Sequence, residues 1–281
     1  LESLAADDTV DAVYIASPNV CHADQAIRMM RAGKHVLCEK LMAIDAGQLA
    51  RMEQAARENG VVLLEAMRSA HGPMVPALRR VMERIGPIRT ASFSYCQYSS
   101  RYDKWKAGVV ENAFDPAMGG GALTDLGVYC VHMMLMLLGK PRSLTAHASF
   151  LPGSIDVMGD LAARYPGFSA GLVYSKIHES HCPCEVAGEQ GTLQFGPVGA
   201  PCWARWKKRG EEWQTIELAI YKEDMYYEIE DFIAMVRGEL DPAPWREWSL
   251  AAAQVLDAAR RQTGIDYRPH TPQPEETRDF V

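Results

Sequence analysis

DAVYIASPNVCHADQAIRMMRAGKHVLCEK, residues 11–40, sets a short apolar run against the turn residues Ser17, Pro18 and Asn19, then continues with helical periodicity from His22 to about Ala32. Gly33 closes that helix, and a second apolar run leads through Cys38 to Glu39 and Lys40. Short apolar runs bounded by turn residues predict buried strands, and the 3.6-residue recurrence between them predicts a helix. The same grammar continues outward, with a helix from about Asp45 to Asn59, a stop at Gly60 and a third strand in VVLLEAM, residues 61–67. Continuous apolar strands alternating with helices predict a parallel sheet covered on both faces.

The grammar changes near Gly86-Pro87, a turn-prone pair. IRTASFSYCQYSS, SLTAHASFL, GDLAARYPG, FSAGLVYSKIH, EVAGEQGTLQFG and RWKKRGEEWQTIEL read as strands joined by short turns. Several alternate polar and apolar residues, which predicts an antiparallel sheet. Two helices follow, around Met225–Arg237 and Leu250–Arg261. The expected organisation is an α/β domain over residues 1–85 and an α+β domain over residues 86–281.

With 281 residues, 48% of them hydrophobic, the chain can bury two cores. Its 29 basic and 36 acidic side chains give a formal net charge of -7, which is no footprint for nucleic acid or an anionic membrane and leaves small molecules as the expected partners. Seven scattered cysteines, an odd number, argue against a disulfide framework and for a cytoplasmic location. No apolar run reads as a membrane span, and the first residues lack a signal-peptide pattern. The chain opens on Leu1 and continues like the tail of a helix, so it is expected to be a fragment.

AMGGGALTDLGVYCVHMMLMLLG, residues 117–139, reads as a buried helix because apolar residues occupy nearly all of its circumference. Asp125, Tyr129 and His132 interrupt it at i, i+4 and i+7. A buried carboxylate and phenol need either backbone partners or a functional pocket. The glycines at 119–121 allow close approach to a ligand or to a neighbouring element. Glu39 and Lys40 stand at the carboxyl end of the second strand, the edge where open parallel sheets bind ligands. The turn Ser17-Pro18-Asn19, with His22 beyond it, ends the preceding strand, so two loops are expected to converge on one crevice.

These stretches, together with SSRYDKWKAGVVENAFDPAMGGGALTDLGVYCVHMM and YYEIEDFIAMVRG, resemble the Gfo/Idh/MocA family of nicotinamide-dependent oxidoreductases over nearly the whole chain. The resemblance is strongest to the branch that contains glucose-fructose oxidoreductase and dimeric dihydrodiol dehydrogenase, which carries a tyrosine four residues after the aspartate. It implies a partial Rossmann sheet, truncated at its N-terminus, followed by an open, mainly antiparallel sheet with helices on one face. It also implies hydride transfer between NAD or NADP and a carbinol carbon of a sugar, polyol or dihydrodiol. Lys40, Asp125 and Tyr129 would form the catalytic group, with Tyr129 as the base whose phenolate an ammonium stabilises. Ser17, Pro18, Asn19, His22, Glu39, Lys40 and Arg68 would border the cofactor, the Arg101–Lys106 loop would close over it or the substrate, and His132 would pack behind the site.

Two departures from the family pattern stand out. Leu41 replaces the proline that usually follows the lysine, so the local path is expected to differ or to be strained. The strand and G-x-G-x-x-G turn that hold pyrophosphate are not found, and with them the residue that selects NAD or NADP. Two other readings stand beside the dehydrogenase. One is a shortened, non-catalytic chain that keeps its sheet for binding or dimerisation. The other is a zinc site in HESHCPC (His178, His181, Cys182, Cys184), although Cys-Pro-Cys is tighter than the usual spacing and no metal is expected. Apolar positions in more than one register of FSAGLVYSK predict a homo-oligomer, namely a dimer.

Overall fold

In the computed structural model, which describes residues 1–221 and 225–267, a short helix α1 (Glu2–Ala5) leads into β1 (Ala12–Ile15), α2 (His22–Arg31), β2 (His35–Glu39), α3 (Ala46–Asn59) and β3 (Leu63–Ala66). The three strands are parallel in the order β1-β2-β3, with Ala12 beside His35 and Val36 beside Leu63. The α3 boundaries follow from local chemistry. Asp45 accepts a 2.7 Å hydrogen bond from the Gln48 N–H at its start, and Gly60 takes a left-handed conformation at its end. One face of the sheet packs on α2 and α3 through Met29, Met30, Val36, Leu49 and Met52. On the other face Leu37, Leu64 and Ala66 meet Phe232 and Met235 of α7 (Met225–Val236). The strand read at residues 10–19 lies at the edge of this sheet, where β2 pairs with one side of it only and Tyr14 is exposed.

After α4 (Met74–Met82) come β4 (Ile88–Cys96), α5 (Ser100–Lys106), α6 (Val128–Leu138), β5 (Ser143–Leu151), β6 (Ile155–Tyr165) and β7 (Phe168–Ser175). β8 (Cys184–Gly188), β9 (Gly191–Gly196), β10 (Trp203–Lys208) and β11 (Gln214–Thr215) follow, and α8 (Ala243–Thr263) comes after α7. Eight strands form one sheet in the order β11-β10-β9-β8-β4-β7-β6-β5, antiparallel throughout except for the parallel pair β4-β7. On β6, Leu161, Ala163 and Tyr165 point into the core, while Asp160, Ala162 and Arg164 point out. The outward positions of β7 are equally exposed, so a single chain leaves that face of the sheet open.

α6 fills the inner face. Every residue from Val128 to Leu137 is buried, and α8 packs across it while also contributing Ala253 to the core of the parallel sheet. The helical stretch Pro116–Leu138 is long and apolar enough to cross a membrane, contrary to the sequence-based count, yet 89% of its most apolar window is buried inside this protein. It is the central helix of the core. Two helices went unforeseen. α4 lies beside the turn taken as the domain boundary, and the Arg101–Lys106 loop is α5, where Ser99 accepts from the Arg101 N–H at the start and Asp103 pairs with Lys106.

The glycines before α6 serve the chain's own packing. A Cβ on Gly120 would lie 2.4 Å from the Asn112 carbonyl oxygen, and one on Gly121 would lie 2.0 Å from an Asp156 carboxylate oxygen. Gly121 also has φ 133°, a conformation that favours glycine. Gly121→Ala is therefore expected to lower unfolding free energy by roughly 2–4 kcal/mol in urea titration, from overpacking and backbone strain together.

Candidate functional site

The crevice begins at the carboxyl ends of β1 and β2. Asn19 donates to the Gly119 carbonyl at 2.9 Å and Ser17 donates to Gln25 at 2.8 Å, which fixes the first loop against the glycine turn. His22 is fully buried, with one ring nitrogen 2.7 Å from the Ser17 carbonyl and the other 2.9 Å from that of Leu41. Its ring lines the crevice, but both nitrogens are engaged with the backbone. The Lys40–Leu41 peptide is cis, so of the two expectations the differing path is not the one found. His22 holds the Leu41 carbonyl, and the Met42 N–H donates to Glu65 at 3.1 Å.

Asp125 sits on a π-turn, Leu123–Gly127, that opens directly into α6. Such wide turns occur often at functional sites because they redirect side chains from an otherwise regular helix. Here the turn delivers the carboxylate between two lysines, with Lys40 Nζ 3.1 Å from one oxygen and Lys176 Nζ 3.0 Å from the other. Lys40 also donates to the Asp125 carbonyl at 3.0 Å and lies 4.9 Å from the centre of the Tyr129 ring. Arg68 approaches the same ring at 5.6 Å, and Tyr95 packs against it at 5.5 Å. Glu39 accepts hydrogen bonds from the Tyr14 hydroxyl and, at 3.2 Å, from the Lys40 N–H.

Burial alone would raise the Asp125 pKa, but the two ammonium groups outweigh it and hold the carboxyl at about 2. Burial works against the Lys40 charge, yet Asp125 and Tyr129 keep its pKa above the ordinary lysine value. The Tyr129 phenol is pushed up by burial, with Lys40 and Arg68 pulling against the rise. That corrects the expectation of an ammonium-lowered phenol. In this pocket desolvation wins, and the Tyr129 phenol stays neutral at pH 7.

Two cavities meet at this cluster. One, of about 440 Å³, lies at the carboxyl edge of the parallel sheet and is lined by Ser17, Pro18, Asn19, His22 and Glu39. The other, of about 730 Å³, is lined by Arg68, Tyr95, Tyr129 and Lys176 and capped by α5 residues including Lys104. Lys40, Asp125 and Arg101 line both. The smaller crevice is a polar opening at the sheet edge where parallel α/β sheets bind ligands. The pyrophosphate turn is not among the described residues.

His132 lies away from both cavities. Its Nε2 is 3.3 Å from buried Glu65, which also accepts a 2.6 Å hydrogen bond from the Ser249 hydroxyl on α8. Among the described residues no group of three or more His, Cys, Asp or Glu side chains is placed to hold a metal ion, so HESHCPC forms no such site. Cys184 is buried on β8, while Cys182 is exposed in the preceding loop.

Lys176 is the residue that sequence reasoning missed. Ala170, Leu172 and Tyr174 alternate on the inward side of β7, and the same period carries Lys176 inward just beyond the strand end. A lysine in phase with buried positions was the available signal.

Behind the site, Asp156 is fully buried and accepts from the Leu123 N–H at 2.7 Å. Burial pushes its pKa up to about 6, against the pull of those backbone groups and of Lys176. Its folded value exceeds the unfolded ~3.9, so its contribution to stability is full below that value and is lost as pH rises to about 6. Asp156→Asn is expected to gain on the wild type by roughly 2–3 kcal/mol at pH 8 and to lose the advantage near pH 4, as read by urea unfolding.

The sequence profile of the oxidoreductase family with an NAD-binding Rossmann fold matches residues 1–67, and that of the GFO/IDH/MocA C-terminal domain matches residues 77–194. The chain is 40% identical to scyllo-inositol 2-dehydrogenase (NADP(+)) IolU of Bacillus subtilis, over 95% of this chain and 82% of that protein. It is 33% identical to mouse trans-1,2-dihydrobenzene-1,2-diol dehydrogenase, over 71% of this chain and 59% of that one. A 3-ketoreductase from Actinomadura kijaniata, solved with NADP and TDP-benzene, superposes with a TM-score of 0.83 at 28% identity, covering 94% of this chain and 81% of that one. Matched along both sheets, the chain belongs to the Gfo/Idh/MocA family of NAD(P)-dependent oxidoreductases.

Proposed function

We propose that the protein transfers a hydride between the nicotinamide of NAD or NADP and a carbinol carbon of a small polyhydroxylated molecule, a sugar, polyol or dihydrodiol, with Lys40, Asp125 and Tyr129 as its catalytic group. The observation that carries this reading is that Lys40 and Asp125 line both the crevice and the polar cavity, with Tyr129 beside them in the latter. A cofactor reaching in from one side and a substrate from the other would meet at these side chains. Ser17, Pro18, Asn19 and the His22 ring would border the dinucleotide, Glu39 and Lys40 its ribose, and Arg68 the far side of the substrate. The names of the inositol and dihydrodiol dehydrogenase relatives support this substrate class, and the names of IolU and the 3-ketoreductase complex support NADP.

The bound nicotinamide supplies or accepts the hydride; the proton is the work of the protein. In the reducing direction the Lys40 ammonium polarises the substrate carbonyl, and Tyr129 gives its phenolic proton to that oxygen as the carbon receives the hydride. In the oxidising direction Tyr129 first gives its proton to water, and the resulting phenolate, stabilised by Lys40 and Arg68, takes the hydroxyl proton. Asp125 keeps Lys40 charged and aimed. The open outer face of the larger sheet supports a dimer, and seven unpaired cysteines support a cytoplasmic setting.

Incubation with NADP+ or NAD+ and a panel of inositols, aldoses and trans-dihydrodiols tests the reading. Growth of reduced-nicotinamide absorbance with at least one class is expected. A cofactor-binding protein inert toward every class would favour the non-catalytic binding module. Sedimentation at micromolar concentration checks the dimer, which a monomer would exclude.

A further inference from the structure

Lys176 carries the most deeply buried charge in the cluster, only 1% exposed. Its ammonium lies 3.0 Å from Asp125, donates to the Ala113 carbonyl at 2.6 Å and stands 4.6 Å from the centre of the Phe114 ring. Burial draws its pKa below the ordinary lysine value, opposed by Asp125. A charge held in such a place is costly, and an apolar side chain would fill the same volume without that cost.

Charge arithmetic gives the position a consequence. Lys40 and Asp125 alone make a neutral pair, which projects little field toward a substrate oxygen or the Tyr129 phenol. With Lys176 on the second carboxylate oxygen, Asp125 is shared between two ammonium groups. Lys40 is then not fully compensated on the side that faces the cavity.

We infer that Lys176 is a positioning residue of the hydride-transfer site: it holds Asp125 in one orientation from behind, balances its charge, and frees the Lys40 ammonium to act on substrate and phenol. This rests on the reading of Lys40, Asp125 and Tyr129 as the catalytic group. The charged and titratable groups that face Tyr129 are Lys40, Arg68, Tyr95 and Glu39, with Asp125 preceding it on the same helix. Those that face Lys176 are Asp125, Asp156 and Lys40.

The test compares K176M and K176R with K40A and Y129F, following carbonyl reduction across pH. K176M is expected to lower kcat by about 10- to 100-fold with little change in KM, as a lost electrostatic contribution does. K176R restores most of the loss. Wild-type kcat in K176M, alongside inactive K40A and Y129F, would overturn this inference alone. Wild-type turnover in K40A and Y129F would instead remove the catalytic reading on which it rests. If K176M does not fold, K176Q carries the same comparison, since it retains a donor for the Ala113 carbonyl without the charge.

Discussion

Lys40→Ala is expected to lower kcat by about a hundredfold to ten-thousandfold while leaving cofactor affinity nearly unchanged. Lys40 lines both cavities, with its ammonium 3.1 Å from Asp125 and 4.9 Å from the Tyr129 ring centre. Its removal takes away the polarising charge at the oxygen that gains or loses a proton, an interaction strongest in the transition state. The fold does not depend on it, because Asp125 keeps Lys176 as a partner and the surrounding main chain is held by His22 and Glu65. Steady-state kinetics with a fluorescence titration of reduced cofactor separates the two effects. A loss confined to cofactor binding would make Lys40 a ribose contact and nothing more.

Tyr129→Phe removes one hydroxyl and leaves a ring that still packs against Tyr95 at 5.5 Å. Turnover is expected to fall on the same scale, about a hundredfold or more, because that hydroxyl carries the proton in the proposed mechanism and its ring lies 4.9 Å from the Lys40 ammonium. The pH dependence carries the sharper signature. Burial raises the Tyr129 pKa, so wild-type carbonyl reduction stays level through neutrality and declines only where the phenol loses its proton, above the ordinary ~10. The phenylalanine variant lacks that decline. A variant that keeps wild-type turnover and the same alkaline limb would assign the proton to another donor.

The parallel sheet was legible because its strands are buried on both faces and therefore read as apolar runs, and because Asp45 and Gly60 mark helix ends chemically. β1 reads the same way although it lies at the edge of this sheet. An apolar run reports tolerance of burial, and only pairing decides whether a strand lies at an edge. α5 escaped notice because its charged and aromatic residues have no apolar stripe; it is held by an end cap and side-chain pairs.

In the proposed site, Lys40 stood out at a strand end, and Asp125 and Tyr129 as polar interruptions of an apolar helix. The approach of Lys40 to Asp125 spans 85 residues, and no local pattern encodes it. The π-turn that aims Asp125 is equally silent in a sequence that scans as a continuous helix. The glycines were ambiguous between ligand and neighbour, and the Asp156 carboxylate against Gly121 resolves that position in favour of the neighbour. The Tyr129 pKa turned on a balance between burial and charge, which needs the depth of the pocket as well as the identity of its residues.

The most direct test of hydride transfer at this cluster uses scyllo-inositol deuterated at its carbinol carbons, incubated with NADP+ and the protein, with the reduced cofactor analysed by mass spectrometry. The account predicts one deuterium on each reduced nicotinamide formed by the wild type and almost no labelled product from Lys40→Ala. Reduced cofactor without deuterium, or labelled cofactor formed equally fast by Lys40→Ala, would contradict it.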